Sequence, residues 1–304
     1  MPLSADTMLD RMQLKRKITR WRLLAVVFAV LAAIAYVGDV IPHSKLTKSH
    51  IARLTFNDVI TDDREVYDMI DDVATDDSVK AVILWLDTPG GSAVAGEELY
   101  LRLKALSKQK PVVAVMRSVA ASAGYMMACG TDQIFAREGT ITGSIGVIIE
   151  AAEFTELAQK IGIKPIIVKS NNLKSTLSPL EKTTPESLAV VQKMINDMHG
   201  RFIDMVAESR KLPRNEVVTL ADGRVYSGKN ALELKLIDAI GGEDDAVKWL
   251  ENNRKIAKNL EISDHDLHRP MSFLEQASQS MFGKFFQNSG IKLDGLSALW
   301  HPEL

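Results

Sequence analysis

Val79-Lys-Ala-Val-Ile-Leu-Trp-Leu-Asp-Thr-Pro-Gly-Gly91 is the stretch on which the fold turns. Its first eight residues are apolar apart from Lys80, the pattern of a strand buried on both faces. A second such strand is expected at Pro111 to Met116, with a helix at Gly96 to Leu106 between the two. Upstream, Ile51 to Phe56 reads as a strand. Arg64 to Ala74 reads as a helix, with Val66, Met69, Ile70 and Val73 at helical spacing. Strand–helix alternation of this kind predicts βαβ units and an α/β fold with a mostly parallel sheet.

The alternation continues downstream. A short helix is expected after Ser122, strands at Gln133 to Ala136 and Ile145 to Ile149, a helix at Glu153 to Ile161 and a strand at Pro165 to Val168. Pro185 to Arg210 is a long helix, with Thr183 and Thr184 ahead of a proline in its first turn. Shorter helices follow, near Lys229 to Leu234 and from Gly241-Gly242 to about Ile256. Phe273 to Phe286 could form an amphipathic helix in an otherwise loosely attached tail.

The 304 residues carry a net charge of −2, which points away from a nucleic-acid partner. A single cysteine, Cys129, rules out an internal disulfide framework and a thiolate zinc cluster. Leu23 to Gly38 are sixteen uncharged residues behind a basic cluster of Arg11, Lys15, Arg16, Lys17, Arg20 and Arg22. That asymmetry predicts a membrane segment with its N-terminus in the cytoplasm. Two readings stay open: a retained signal anchor, or a signal peptide cleaved near Ala33-Ile-Ala35.

Three glycine-rich spots neighbour strands: Asp87-Thr-Pro-Gly-Gly91, Ala120-Ala-Ser-Ala-Gly-Tyr125 and Gly143-Ser-Ile-Gly146. The first two follow buried strands directly, where open α/β sheets bind ligands. Ser122 would stand on a strand-to-helix turn whose free amides face a developing oxyanion. Small residues around a serine equally mark a tight packing point. A nucleophilic serine needs a base. His43 and His50 fall in the linker, His199 in the long helix, and His265, His268 and His301 in the tail, so a Ser–His–Asp triad is disfavoured. Asp264-His265-Asp266 suits a solvated loop better than a metal. A lysine serves as base where desolvation disfavours its charge. Lys174, in Ser170-Asn-Asn-Leu-Lys-Ser-Thr-Leu-Ser-Pro179, has no carboxylate nearer than Glu181. On these residues alone, a solvated loop lysine is the ordinary reading.

Taken together, five ordered motifs resemble the signal peptide peptidase A family of Ser–Lys peptidases from about residue 50 to 250. They are Asp87-Thr-Pro-Gly-Gly91, Ala121-Ser-Ala-Gly-Tyr-Met126, Thr142-Gly-Ser-Ile-Gly-Val147, Leu173-Lys-Ser-Thr176 with Ser178-Pro179, and Tyr226-Ser-Gly228 with Leu236-Ile-Asp238. The resemblance implies a Clp-protease/crotonase-like α/β fold of repeated ββα units behind an N-terminal transmembrane helix. It implies Ser122 as nucleophile, Lys174 as general base, Ser144 as the residue that orients Lys174, and Gly91 and Ala123 as oxyanion donors. Glycine is commoner in the family at the position of Ala123. No cofactor and no metal is implied.

The resemblance further implies peptide substrates, namely remnant signal peptides and unfolded chains, and a homo-oligomeric ring whose active sites are shared between subunits. Residues 1–20 are then a cytoplasmic basic N-terminus, 21–41 a transmembrane signal anchor, 42–50 a linker, 51–257 the peptidase domain and 258–304 a C-terminal tail. The catalytic domain would lie outside a bacterial cytoplasmic membrane. Competing expectations are a membrane-bound Ser–Lys protease that clips one partner such as a stomatin-like protein, a crotonase-fold acyl-CoA enzyme, and an inactive membrane scaffold.

Overall fold

The computed structural model describes residues 48–265, together with Trp21, Arg22, Val26 and the backbone of Ala298–Leu299. The chain divides into two units, Met1–Lys48 and Ser49–Leu304. In the first, Trp21, Arg22 and Val26 are helical. The expected membrane segment lies almost wholly outside the described residues, as does the expected helix at 273–286. Among the described residues no helix is long and apolar enough to cross a membrane.

The second unit is built on strands β1 (His50–Asn57), β2 (Val79–Thr88), β3 (Gly90–Gly91), β4 (Val112–Ala121), β5 (Gln133–Ala136), β6 (Ile141–Gly143), β7 (Val225–Ser227), β8 (Ala239–Ile240), β9 (Glu261–Asp264) and β10 (Ala298–Leu299). Helices α1 (Arg64–Thr75), α2 (Ala93–Ser107), α3 (Ala123–Ala128), α4 (Thr155–Lys160), α5 (Pro185–Arg210), α6 (Arg214–Leu220), α7 (Gly228–Glu233) and α8 (Glu243–Asn253) alternate with them. The main sheet runs β7-β6-β4-β2-β1-β9, and β5 and β8 branch from β4. Every pairing within it is parallel except β6 with β7.

The fully apolar runs become the central strands because both their faces are covered. Val82, Leu84, Leu86, Val112 and Ala114 bury against α1, α2, α3 and the C-terminal half of α5. Ile51, Ala81, Ile83, Val113 and Val115 bury on the other side with Phe135 and with Ala246 and Leu250 of α8. Strand β4 forks the sheet: Val113–Met116 pair with β5, whereas Val119–Ala121 pair with β6. The fork carries the end of β4, and Ser122 after it, beyond the body of the sheet.

Helix α5 begins and ends where expected, with Thr184 accepting from the Ser187 amide at 3.1 Å. Two expected strands are absent. Ile145 to Ile149 follows a turn in which Gly143 and Ser144 both have positive φ, and the chain leaves the sheet there. Pro165 to Val168 is irregular and exposed, and among the described residues no strand pairs with it; Ile166 is 90% and Val168 93% exposed. The sheet also extends into the stretch expected to open the tail: β9 pairs with β1, and Asp264 and Glu243 both bind the Arg53 guanidinium. Asp264 is thus a strand carboxylate paired with an arginine, not a loop carboxylate.

Candidate active site

Three chain reversals meet around Ser122. Its amide donates to the Gly143 carbonyl at 2.8 Å, and its carbonyl accepts from Met126 at 2.9 Å. The residue is 1% exposed, with φ 53° and ψ −120°. A non-glycine residue held there stores about 1–3 kcal/mol of backbone strain. A serine forced into such a strand-to-helix turn is the geometry of a nucleophile elbow. Ala123 is the first residue of α3, and the first bond into that helix starts at Met126, so the Ala123 and Gly124 amides have no intrahelical acceptor.

Close packing fixes the turn. A Cβ on Gly124 would come within 2.6 Å of Thr88 Cγ2, and one on Gly96 within 2.9 Å of Ala123 Cβ. The methyl at position 123 therefore fills space that the bare Gly96 on α2 leaves free.

The second reversal is β3. Thr88 Oγ1 donates to the Asp58 carbonyl and accepts from the Gly90 amide at 3.2 Å. Ile60 donates to Gly90 at 2.8 Å and accepts from Ser92 at 2.8 Å. A Cβ on Gly91 would lie 2.0 Å from the Ile60 carbonyl oxygen, so only glycine lets the two backbones approach. The third reversal is Gly143–Ser144. Ser144 is half-buried and donates its amide to Arg224 at 2.9 Å, while a Cβ on Gly143 would press into the Tyr226 ring at 2.6 Å.

Ser122, Ala123, Gly91 and Ser144 thus converge at the ends of β2, β4 and β6. Lys174 does not join them within one chain. It is exposed, in a turn where its amide donates to Asn171 at 3.0 Å. Among the described residues no hydrogen bond links it to Ser122 or Ser144. The segment that carries it, between β6 and α5, also exposes Phe154, Leu157, Ile161, Ile163, Ile166 and Val168. The N-terminal half of α5 adds Leu188, Val190 and Met194.

Sequence reasoning did not find the polar supports of the site. Asp87 accepts from the Val119 amide at 3.1 Å, across the register shift in the β2–β4 pairing. Thr142 donates to the Ala120 carbonyl at 2.7 Å and locks β6 to β4. Arg210 pairs with Asp238, which also accepts from the Ile134 amide at 2.7 Å, and Tyr125 donates to the Leu236 carbonyl at 2.8 Å. The motif Leu236-Ile-Asp238 therefore anchors α3 and α5 to the sheet. A buried arginine late in a helix that shares a fold with an isolated Ile-Asp was the available signal. Among the described residues, no group of three or more His, Cys, Asp or Glu side chains could hold a metal.

Residues 104–257 match the model of peptidase family S49. The chain belongs to this family. It is similar to an inferred protease of Methanocaldococcus jannaschii, 38% identical over 206 residues that cover 68% of this chain and 66% of that one. It is similar also to an inferred signal peptide peptidase SppA of Enterococcus faecium, 35% identical over 220 residues covering 68% and 64%. The chain thus spans just under two thirds of the length of these relatives. Among solved structures, a membrane-bound stomatin-specific protease aligns with 20% identity and a TM-score of 0.45, covering 72% of this chain and 98% of that one.

Proposed function

We propose that the chain is a membrane-anchored serine endopeptidase with a Ser–Lys dyad. Ser122 is its nucleophile, Lys174 its general base and Ser144 the residue that orients the lysine. The observation that carries the reading is the backbone of Ser122: buried, at positive φ, at the head of a helix and beside a glycine strand. A glycine would take that conformation without strain, so a serine held there supports a use for its hydroxyl.

The chemistry follows from the groups present. The Lys174 amine takes the Ser122 hydroxyl proton, and Oγ adds to the scissile carbonyl. The amides of Gly91 and Ala123 hold the resulting oxyanion, each worth about 3 kcal/mol of barrier. Collapse breaks the C–N bond, Lys174 returns the proton to the leaving amine, and the acyl group stays on Ser122. Lys174 then deprotonates a water that hydrolyses the ester.

A lysine accepts a proton only where desolvation disfavours its charged form. In one chain Lys174 faces solvent, within a segment that presents apolar side chains to water. Exposed apolar surface of this extent marks an interface. A ring of copies, in which this segment of one subunit covers Ser122 of the next, supplies both the dry environment and the missing partner. We assign the fold to the Clp-protease/crotonase type, the N-terminal apolar run to an anchor in a bacterial cytoplasmic membrane, and remnant signal peptides and unfolded chains to the substrates.

The deciding experiment is labelling of the assembled enzyme with a fluorophosphonate, followed by mass spectrometry of the modified peptide. Modification of Ser122, lost in Lys174→Ala, is expected. Modification of another serine, or none in an assembled ring, overturns the reading.

A further inference from the structure

We propose that Arg117 and Arg137 form an exosite for a substrate carboxylate, about five residues from the bond that is cut. The proposal rests on the peptidase reading above and adds a specificity determinant to it. Among the described residues of the second unit, every other arginine pairs with a carboxylate. Arg117 and Arg137 make no ion pair, and both line one cavity of about 610 Å³. That volume lies within the range of ligand pockets.

Both side chains are exposed, and both are held in place. Arg117 lies over the Trp85 ring, 4.6 Å from its centroid. Arg137 lies against Gly242, where a Cβ would come within 2.3 Å of Nη2, so the bare glycine makes room for the guanidinium. One buried hydroxyl joins the two main chains: Thr140 Oγ1 donates to the Arg117 carbonyl at 2.7 Å and accepts from the Arg137 amide at 3.0 Å. Two guanidinium forks fixed in this way bind a carboxylate by charge-assisted hydrogen bonds at little ordering cost.

The charges around the cavity select the kind of anion. Glu243 lines it but is bonded to Arg53 at 2.9 Å. Asp244 lines it too, is exposed, and makes no ion pair among the described residues. Two unpaired guanidiniums against one unpaired carboxylate suit a singly charged carboxylate. A phosphate with two charges meets repulsion from Asp244 and Glu243.

Two strands lead from the cavity to the nucleophile. Val119 and Ile141 in its wall are paired, and from them β4 and β6 run on in parallel to Ala121 and Gly143, whose carbonyl holds the Ser122 amide. From Arg117 to Ser122 is about 16 Å of strand rise. An extended peptide rises at the same rate, so the carboxylate belongs to a residue about five positions from the scissile bond.

The test uses full-length assembled enzyme and fluorogenic peptides with either glutamate or glutamine about five positions from the cleaved bond, on one side or the other. On one of the two sides kcat/KM should favour glutamate about tenfold, as for two partly exposed charge pairs, and the preference should shrink in about 0.5 M salt. Arg117→Gln/Arg137→Gln should abolish the preference and Arg64→Gln should keep it. Asp244→Asn, which removes the competing carboxylate, should enlarge it. No preference on either side, or a preference that survives in the double variant, overturns the proposal. Binding is measured separately, by fluorescence anisotropy of the labelled glutamate peptide on Ser122→Ala chains, which needs no catalysis. Weaker binding when Arg117 and Arg137 are also replaced supports the proposal, and equal binding overturns it. Displacement of that peptide by inorganic phosphate at lower concentration than by acetate shows a phosphate site and overturns it as well. Failure of fluorophosphonate to label any form sinks the peptidase reading instead and leaves the anisotropy result to decide the carboxylate site.

Discussion

The Ser122 amide is bonded to the Gly143 carbonyl at 2.8 Å, and this one bond ties the elbow on β4 to the turn that carries Ser144. It holds Ser122 at φ 53°, a conformation that glycine adopts freely and serine does not. The strain of about 1–3 kcal/mol exceeds the roughly 0.5–1 kcal/mol that a glycine loses in chain entropy. Ser122→Gly should therefore stabilise the fold by about 1 kcal/mol while abolishing hydrolysis. Ser122→Ala, which keeps the strained backbone, should abolish hydrolysis without that gain. Urea unfolding of the three forms measures the difference; a glycine variant no more stable than the alanine one would show the turn to be unstrained.

Lys174 makes the opposite prediction. Its side chain is exposed and its backbone bond stays within its own turn, so Lys174→Ala should fold with a melting temperature within about 2 °C of wild type. Peptide hydrolysis should nonetheless fall at least about a thousandfold, as for loss of an essential base. Under the proposed shared site, mixing Ser122→Ala chains with Lys174→Ala chains should then restore part of the activity, each copy supplying the group the other lacks. Inactive mixed rings, confirmed as mixed by native mass spectrometry, would place both groups in one subunit.

Much of this architecture could be read from residue types, for physical reasons that also mark where the reading stops. Buried parallel strands need side chains that are apolar on both faces, so β2 and β4 announce themselves, and the Thr184–Pro185 start of α5 does likewise. Ile145 to Ile149 and Pro165 to Val168 have the same local composition, yet among the described residues neither forms a strand, Ile148 making only an isolated bridge, and apolar periodicity alone cannot say whether a neighbour exists. The fork in β4 was equally hidden, since it depends on where β5 and β6 dock. Glycine clusters located the three reversals, but not the positive φ of Ser122, which is imposed by the Gly143 bond and the packing of α3. Lys174 was singled out only through the resemblance of the motif around it; its solvent exposure within one chain is a property of the segment between β6 and α5 as a whole.

Gly96 and Ala123 should behave as a coupled pair. A methyl on Gly96 would sit 2.9 Å from Ala123 Cβ and 3.1 Å from Met126 Sδ. Gly96→Ala gains about 1 kcal/mol of helix propensity but costs about 1–3 kcal/mol in overpacking. It should also shift α3, and with it the elbow, so kcat should fall more than stability does. In an Ala123→Gly background the clash with Cβ is gone, and the same Gly96→Ala change should become neutral or stabilising. A double-mutant cycle on unfolding free energy should show a coupling of about 1 kcal/mol or more. Additive effects would mean that α2 and α3 relax apart and do not set the geometry of Ser122.

Cys129 supplies a pH signature for the same helix. It caps the end of α3, is fully enclosed, and burial pushes its thiol from an ordinary 9.0 up to about 11, against smaller opposing contributions from Arg210 and Ser209. The folded chain then keeps a proton that the unfolded chain releases between those two values. The stability this represents is fully present below pH 9 and is lost as pH rises toward 11, by about 2–3 kcal/mol in total. Tyr125, raised well above its ordinary value by the same burial, adds to the slope in the same direction. Comparing wild type with Cys129→Ala isolates the thiol, because only the wild type should lose that increment between pH 8.5 and 11. Folded enzyme should also resist iodoacetamide at pH 8.5 and react only on unfolding. Parallel pH profiles for the two proteins, or rapid alkylation of the folded chain, would show that α3 opens to solvent and that the elbow it supports is not rigid.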